Sequence, residues 1–205
     1  MKNSIYYFLC VAGLCLSFTA NAQQQRFNAG IVAGINLSQI DGDDLVGYNQ
    51  LGANLGIRAL TYLTDRWQVS LELLFSQKGS SASANDNPLS AFDKVRLNYV
   101  EVPVMINFLD WAQEGEDYSK VHFSTGLSYS RLINFTIEQF DGSDISDRVD
   151  YNPNAAMFLL GASFYFNKNI GIHARFSQSF TNIDNNQNNR ALIGKTWTIQ
   201  TLYMF

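Results

Sequence analysis

The sequence predicts an all-β protein, an eight-stranded antiparallel up-and-down β-barrel that crosses a membrane with its strands. Three observations predict it: eight segments alternate apolar and polar residues, the N-terminus has the pattern of an export signal, and the chain stops on an aromatic residue. A period of two places four large apolar residues on one face of the last segment, namely Trp197, Ile199, Tyr203 and Phe205. This pattern is typical of the last strand of an outer-membrane barrel, and we interpret it as the signal that barrel-assembly machinery recognises.

The N-terminal segment indicates export. Lys2 precedes an apolar stretch from Ile5 to Phe18, and Ala20-Asn21-Ala22 provides the small residues that a signal peptidase requires. We therefore predict that residues 1–22 are a signal peptide. Residues 23–205 are then a single outer-membrane barrel domain.

Composition limits the class of protein. A chain of 205 residues is normally one domain, and its mean hydropathy of −0.09 is too polar for a helical membrane protein. Past the signal peptide no apolar run approaches the ~18 to 20 residues of a spanning helix, so entry into a bilayer requires a closed barrel. The excess of 18 acidic over 14 basic residues argues against nucleic acid as a partner. Because Cys10 and Cys15 lie in the signal peptide, no disulfide or cysteine metal site is predicted.

The first three segments alternate regularly. Phe27 to Ser38 carries apolar residues on one face and Gly, Asn and Ser on the other, and about Gln50 to Tyr62 follows the same pattern. A tight turn at Thr64-Asp65 leads into a third segment, Trp67 to Lys78. Each segment has the ~9 to 11 residues or more that a tilted membrane strand needs.

The next three segments are less regular. Val95 to Phe108 contains Pro103, which donates no ladder hydrogen bond and predicts a bulge or another local irregularity. The fifth segment runs from about Lys120 to Ile137. The sixth, Asn154 to Phe166, is apolar on both faces, so its register is left open.

The seventh segment begins at Ile170 and the eighth is the C-terminal strand. The connections after strands one, three, five and seven are long and rich in Asp, Asn, Gly and Ser, and they span 39–48, 79–94, 138–153 and 181–190. Long extracellular loops, short periplasmic turns and periplasmic termini are the rule for these barrels. The long connection 109–119 at the periplasmic end breaks this rule, and the sequence does not explain it.

Alternation alone does not say which face meets lipid, since a soluble lipocalin-like barrel would turn its apolar residues inward. The polar faces consist mainly of small residues that fit a narrow lumen. Their few charges, Arg58, Glu72, Glu101 and Arg175, fall at similar heights. We predict that these four form a buried luminal ion-pair cluster, and we favour a structural role over a proton or ion path.

Other candidate sites are weaker. His122 and His173 face inward and would serve a lipid-modifying enzyme only with a Ser and an acid beside them. The acidic segments Asp41-Gly42-Asp43-Asp44 and Asp141-Gly142-Ser143-Asp144 match no twelve-residue calcium loop, so solvated turns are the favoured interpretation. No cofactor is predicted.

Several exposed aromatic residues are predicted near the periplasmic strand ends, where they would form an interfacial girdle. They are Trp67, Phe108, Trp111 and Phe166.

Three stretches resemble the PorT-like outer-membrane β-barrel family. They are the glycine-rich Ala29 to Ser38, Glu72 to Gly79, and Leu97 to Val104, which contains a Tyr-x-Glu-x-Pro-Val core at Tyr99 to Val104. The resemblance extends over essentially the whole mature chain. It implies an eight-stranded outer-membrane barrel, and the founding member is associated with protein secretion across the outer membrane by the gliding-associated secretion system. No catalytic residues come with it.

The leading hypothesis from the sequence is a non-enzymatic outer-membrane barrel, surrounded by outer-membrane lipid, that acts as a scaffold or accessory subunit in envelope assembly or protein secretion. It would contact an envelope or secretion protein through its loops or its periplasmic rim. A surface adhesion or protective barrel that works through the extracellular loops is the alternative, and a lipid-modifying enzyme is a third hypothesis.

Overall fold

The computed structural model describes residues 27–42, 47–82, 94–112, 118–139, 143, 151–183 and 192–205. The predicted signal peptide, residues 1–22, lies outside these residues. Eight strands are numbered in chain order: β1 Phe27–Asp41, β2 Gln50–Thr64, β3 Trp67–Ser81, β4 Lys94–Ala112, β5 Ser119–Glu138, β6 Asn154–Tyr165, β7 Ile170–Ser179 and β8 Ile193–Met204.

The eight strands form one closed antiparallel sheet. Each strand pairs with the next along the chain, and β1 also pairs with β8, where Gly30 faces Met204 and Asp41 faces Ile193. Closure pairs the backbone of both strands that would otherwise be edges. The predicted all-β, eight-stranded, up-and-down topology is confirmed. No helix in the described part of the chain is long and apolar enough to cross a membrane.

The outer surface of the barrel is apolar and its interior is largely polar. Trp67 and Trp197 point outward and are 45% and 47% exposed, and Leu127 is 56% exposed. Asn36 and Ser76 lie on the inward faces of their strands and are fully buried. This arrangement is the reverse of a lipocalin and is the one expected when hydrocarbon surrounds the barrel.

Several strands extend further toward the long loops than the apolar alternation predicts. β1 continues to Asp41, β3 to Ser81 and β5 to Glu138, while β8 begins at Ile193. Alternation ends where the apolar band ends, but backbone hydrogen bonding between neighbouring strands does not depend on side-chain polarity. The predicted strand ends therefore mark the apolar band rather than the sheet.

Pro103 produces an irregularity of a different kind from a bulge. Between β3 and β4, the register is the same on both sides of Pro103, but β3 pairs with neither Val102 nor Pro103. The bulge lies between β4 and β5, where Asn98 faces Asn134 and Tyr99 faces Leu132, which leaves Ile133 as the extra residue. A missing proline N–H interrupts the hydrogen-bonded ladder and does not by itself add a residue to the strand.

The structure decides two features that the sequence left open. In β6, Phe158 and Phe164 point outward while Leu159 and Tyr165 are buried inside. The predicted long connection 109–119 is strand at both of its ends, because β4 continues to Ala112 and β5 begins at Ser119. Residues 113–117 between them lie outside the described residues.

Candidate functional site

The four charged residues predicted for the lumen are all buried inside the barrel, and one of them, Glu72, contacts both arginines. Each is 1% exposed. Arg58 and Glu72 are register partners across β2 and β3, with 3.5 Å between Nη1 and Oε1. From β7, Arg175 reaches across the lumen, and its Nη1 donates a hydrogen bond to Oε2 of Glu72 at 2.8 Å. Glu72 therefore binds two arginines.

The fourth predicted residue, Glu101, has a partner that the sequence analysis did not include. Lys78 Nζ donates a hydrogen bond to Glu101 Oε2 at 2.6 Å and lies 3.2 Å from the sulfur of Met157. The register partner of Glu101 on β3 is Leu74, so Lys78 lies further toward the loops. A comparison of residue positions along the strands does not predict this pair, because the flexible four-carbon side chain of lysine spans the distance between the two positions.

An amide and hydroxyl network joins four strands beside the ion pairs. Thr198 Oγ1 donates to Asn36 Oδ1 at 2.8 Å, and Asn36 Nδ2 donates to Ser76 Oγ at 3.0 Å. Gln200 Nε2 donates to Asn54 Oδ1 at 2.7 Å, and Asn54 Nδ2 donates to the same Ser76 oxygen at 3.2 Å. The polar alternation of β1, β2, β3 and β8 indicates these residues, but only the register shows which ones meet.

Buried apolar residues fill much of the remaining interior. One cluster lies mainly on β4, β5 and β6 and includes Met105, Met157 and Leu159, and a second includes Leu60 and Leu74. The ion pairs contact the first cluster, since Arg175 Nη1 lies 3.9 Å from the sulfur of Met105. The charges are thus packed among apolar side chains, as expected for an eight-stranded barrel whose interior is just wide enough for its own side chains.

Both histidines are buried, at different places. His173 Nδ1 and Ser163 Oγ are 2.7 Å apart, a pairing that sequence reasoning missed because β6 had no assigned register. Within the described residues, His173 Nε2 has no hydrogen-bond partner, so the acid that orients a catalytic Ser-His pair does not contact it. His122 Nε2 bonds to the carbonyl of Ser119 at 3.1 Å.

The C-terminal residues lie on the outer surface. Trp197, Ile199, Tyr203 and Phe205 are between 45% and 72% exposed. The backbone N–H of Phe205 donates to the carbonyl of Ala29 at 2.9 Å, so the last residue continues the β1–β8 pairing. Recognition of these residues by assembly machinery remains a prediction.

The predicted girdle residues lie at the end of the barrel where β1 begins and β8 ends, here called the turn end. The rings of Trp67 and Phe108 are in contact, with centroids 5.2 Å apart, and Phe166 contacts Phe164 at 5.4 Å. Trp111 has a φ of 56°, and the ammonium of Lys120 lies 5.8 Å from its ring centroid.

Most of the acidic loop residues, including Asp43, Asp44, Asp141 and Asp144, lie outside the described residues. Asp41 is described, and its Oδ2 is 2.5 Å from Nζ of Lys195. Within the ranges that the structure describes, no group of three His, Cys, Asp or Glu residues is placed to hold a metal ion.

Comparison with known proteins identifies the family. Residues 21–185 match the family described as outer membrane protein beta-barrel domain. The chain belongs to this family. Membership agrees with the apolar outer surface and places this beta-barrel in the bacterial outer membrane. The comparison with curated proteins gave no match.

Two solved structures share the fold of this outer membrane beta-barrel. Ail, the attachment invasion locus protein of Yersinia pestis, has a TM-score of 0.52 and 16% identity, over 88% of this chain and 100% of Ail. Neisserial surface protein A has a TM-score of 0.51 and 13% identity, over 88% of this chain and 98% of that protein. At such identities the likeness shows the fold alone.

Proposed function

We propose that this protein is a non-enzymatic outer-membrane scaffold, a closed barrel that binds a protein partner of the cell envelope and does not conduct solutes. The packed interior is the observation that carries this proposal. Glu72 is bonded across the lumen to Arg175, and the apolar cluster that contains Met105 and Met157 contacts both ion pairs. A side-chain-filled barrel offers its rims and loops, not its interior, to other molecules.

The resemblance to the PorT-like family supports the finer proposal of an accessory role in envelope assembly or protein secretion. The Tyr-x-Glu-x-Pro-Val core of that resemblance includes two residues of the lumen, Tyr99 and Glu101, which are both buried. These residues support the barrel itself. A partner would therefore contact the periplasmic rim or the loops.

Two measurements test the scaffold proposal. Purified barrel in planar bilayers is expected to give no conductance steps, with an open porin as the positive control. Affinity capture from detergent-solubilised envelope, after crosslinking in cells, is expected to recover an envelope or secretion protein reproducibly. Steady ion conductance by the native barrel would contradict the proposal.

The loop composition favours surface contact as a second candidate function. The segments 42–49, 82–93, 139–153 and 180–192 together contain nine aspartates and two arginines. Such a charge balance attracts a cationic partner. Ail is named as an attachment protein, and that property is Ail's own. Because this chain shares the fold, surface attachment is the second function proposed here.

Replacing the four loops by short Gly-Ser links separates these two functions. If the protein is an envelope scaffold that works through its periplasmic rim, secretion continues without the loops. If it is an adhesin, attachment of cells to a cationic surface is lost. The enzyme hypothesis is tested separately by His122→Ala and His173→Ala, where an unchanged lipid A profile would eliminate it.

A further inference from the structure

Among the described residues, the lumen contains one more buried cation than carboxylates. With both histidines neutral, the buried ionised residues of the described chain are Arg58, Lys78 and Arg175 against Glu72 and Glu101. Lys78 and Arg175 each make a hydrogen bond of 2.8 Å or less to a carboxylate. A buried charge without full compensation is strongly unfavourable.

Arg58 is the cation that is left least compensated. Its Nη1 is 3.5 Å from Glu72 and makes no hydrogen bond, and its Nε also has no partner among the described residues. Its Nη2 donates only to the hydroxyl of Ser70, at 3.3 Å. Arg58 therefore adds positive potential to its side of the lumen.

A cavity of about 30 Å³ lies next to Arg58 on the side of the turn end. On β2 it is lined by Leu60, and Arg58 is the next inward residue of that strand. On β3 it is lined by Gln68, and Ser70, which Arg58 contacts, is the next inward residue. The volume accommodates roughly two water molecules or one small ion.

The described residues that line this cavity provide unused polar groups and include no carboxylate. Gln68 and Tyr165 are 1% and 4% exposed, and Gln68 Nε2 and the Tyr165 hydroxyl have no hydrogen-bond partner in the described structure. Lys168 adds a cation at the rim. Amide and hydroxyl donors beside excess positive charge suit an anion.

We propose that this cavity binds one small monovalent anion, of the size of chloride or formate, whose charge offsets the excess in the lumen. Gln68 Nε2 and the hydroxyl of Tyr165 are the proposed donors, and Arg58 supplies the charge from the adjacent layer. In a barrel with the usual orientation, the anion enters from the periplasm. The site is independent of whether a protein partner binds the barrel.

Methionine methyl NMR tests the site directly. The barrel purified in detergent micelles would be labelled with ¹³C at the methionine methyl groups, because Met204 lines the cavity while Met157 lies near Lys78 in the other part of the lumen. Sodium chloride and sodium formate are expected to shift the Met204 signal in a saturable way and to leave Met157 unchanged. Formamide, a neutral molecule of similar size and shape, is expected to have no such effect.

Three variants sharpen the test. Tyr165→Phe removes a hydroxyl that has no protein partner, and is expected to weaken anion affinity about tenfold. Arg58→Met removes the excess charge and is expected to abolish saturable binding. Ser130→Ala removes another unpartnered hydroxyl, on β5, and is expected to leave the affinity unchanged.

Three results would overturn the proposal. One is a Met204 signal whose shift does not saturate as the salt concentration rises, or a Met157 signal that shifts in parallel with ionic strength. Another is a formamide effect equal to that of formate. The third is an unchanged affinity in Tyr165→Phe, a variant that keeps the aromatic ring and therefore the packing.

Discussion

Arg175 and Glu72 are 103 residues apart in the sequence, yet their side chains bond directly across the lumen at 2.8 Å. They lie on β7 and β3, which are four strands apart in a barrel of eight and therefore on opposite sides. At this height the lumen is only as wide as two extended side chains. The barrel interior is thus a core with an ion pair at its centre.

Arg175→Met should destabilise the barrel strongly. It removes the 2.8 Å hydrogen bond to Glu72 and leaves that buried carboxylate with Arg58 alone, at 3.5 Å, and losing a buried hydrogen bond to a charged group costs about 1.5 to 3 kcal/mol. Urea unfolding of the barrel in phospholipid vesicles, followed by tryptophan fluorescence, measures the change in the free energy of unfolding. As a control, Lys195→Gln breaks the exposed pair with Asp41 and should cost about 1 kcal/mol or less. Equal effects of the two changes would contradict a buried ionic core.

Lys78→Met should also destabilise the barrel, and a second change should partly reverse the effect. Lys78 is the hydrogen-bonded cation of Glu101, so its loss strands a buried carboxylate. Adding Glu101→Gln removes the unpaired charge, and the double variant is expected to be more stable than Lys78→Met alone. A double-mutant cycle of unfolding free energies provides the measurement. Simple additivity of the two changes would show that the pair is not coupled.

Gly34→Ala should weaken the seam that closes the barrel. A Cβ on Gly34 would overlap the carbonyl oxygen of Ile199 on β8, so the backbones of β1 and β8 must move apart. We expect a loss of about 1 to 3 kcal/mol in the free energy of unfolding. Gly194→Ala is a matched control, because there the nearest atom is the end of the Ile183 side chain, at 3.3 Å. A seam that tolerates both changes equally would contradict the close approach.

Removal of Phe205 should impair insertion into the outer membrane. Deletion removes both the ring and the backbone hydrogen bond to Ala29, whereas Phe205→Ala removes the ring alone. If assembly machinery recognises the aromatic ring, both variants lower the amount of folded barrel in outer-membrane fractions, measured by heat-modifiable mobility in gels. Both should still refold in detergent, where no machinery acts. Normal membrane levels of Phe205→Ala would contradict recognition of the ring.

The faces of most strands could be predicted from the sequence because side chains alternate across a strand. That period places Glu72 and Arg175 on the polar faces of their strands, and the small residues of those faces indicate that they point into the lumen. β6 could not be assigned in this way, since Leu159 and Leu160 are both apolar, one inside and one in the lipid-facing layer. The bulge at Ile133 could not be predicted from the sequence either, because bulges depend on how two strands pair.

The sequence by itself determined the number of strands, the direction that side chains face on every strand except β6, and the apolar exterior, because these follow from a local period of two and from transfer of apolar groups out of water. The tertiary structure decided which partners meet. Closure staggers eight strands against one another, and this stagger places Arg175 beside Glu72 and Lys78 beside Glu101. Contacts across a lumen depend on that global register and on the reach of each side chain, and neither is encoded within any single strand.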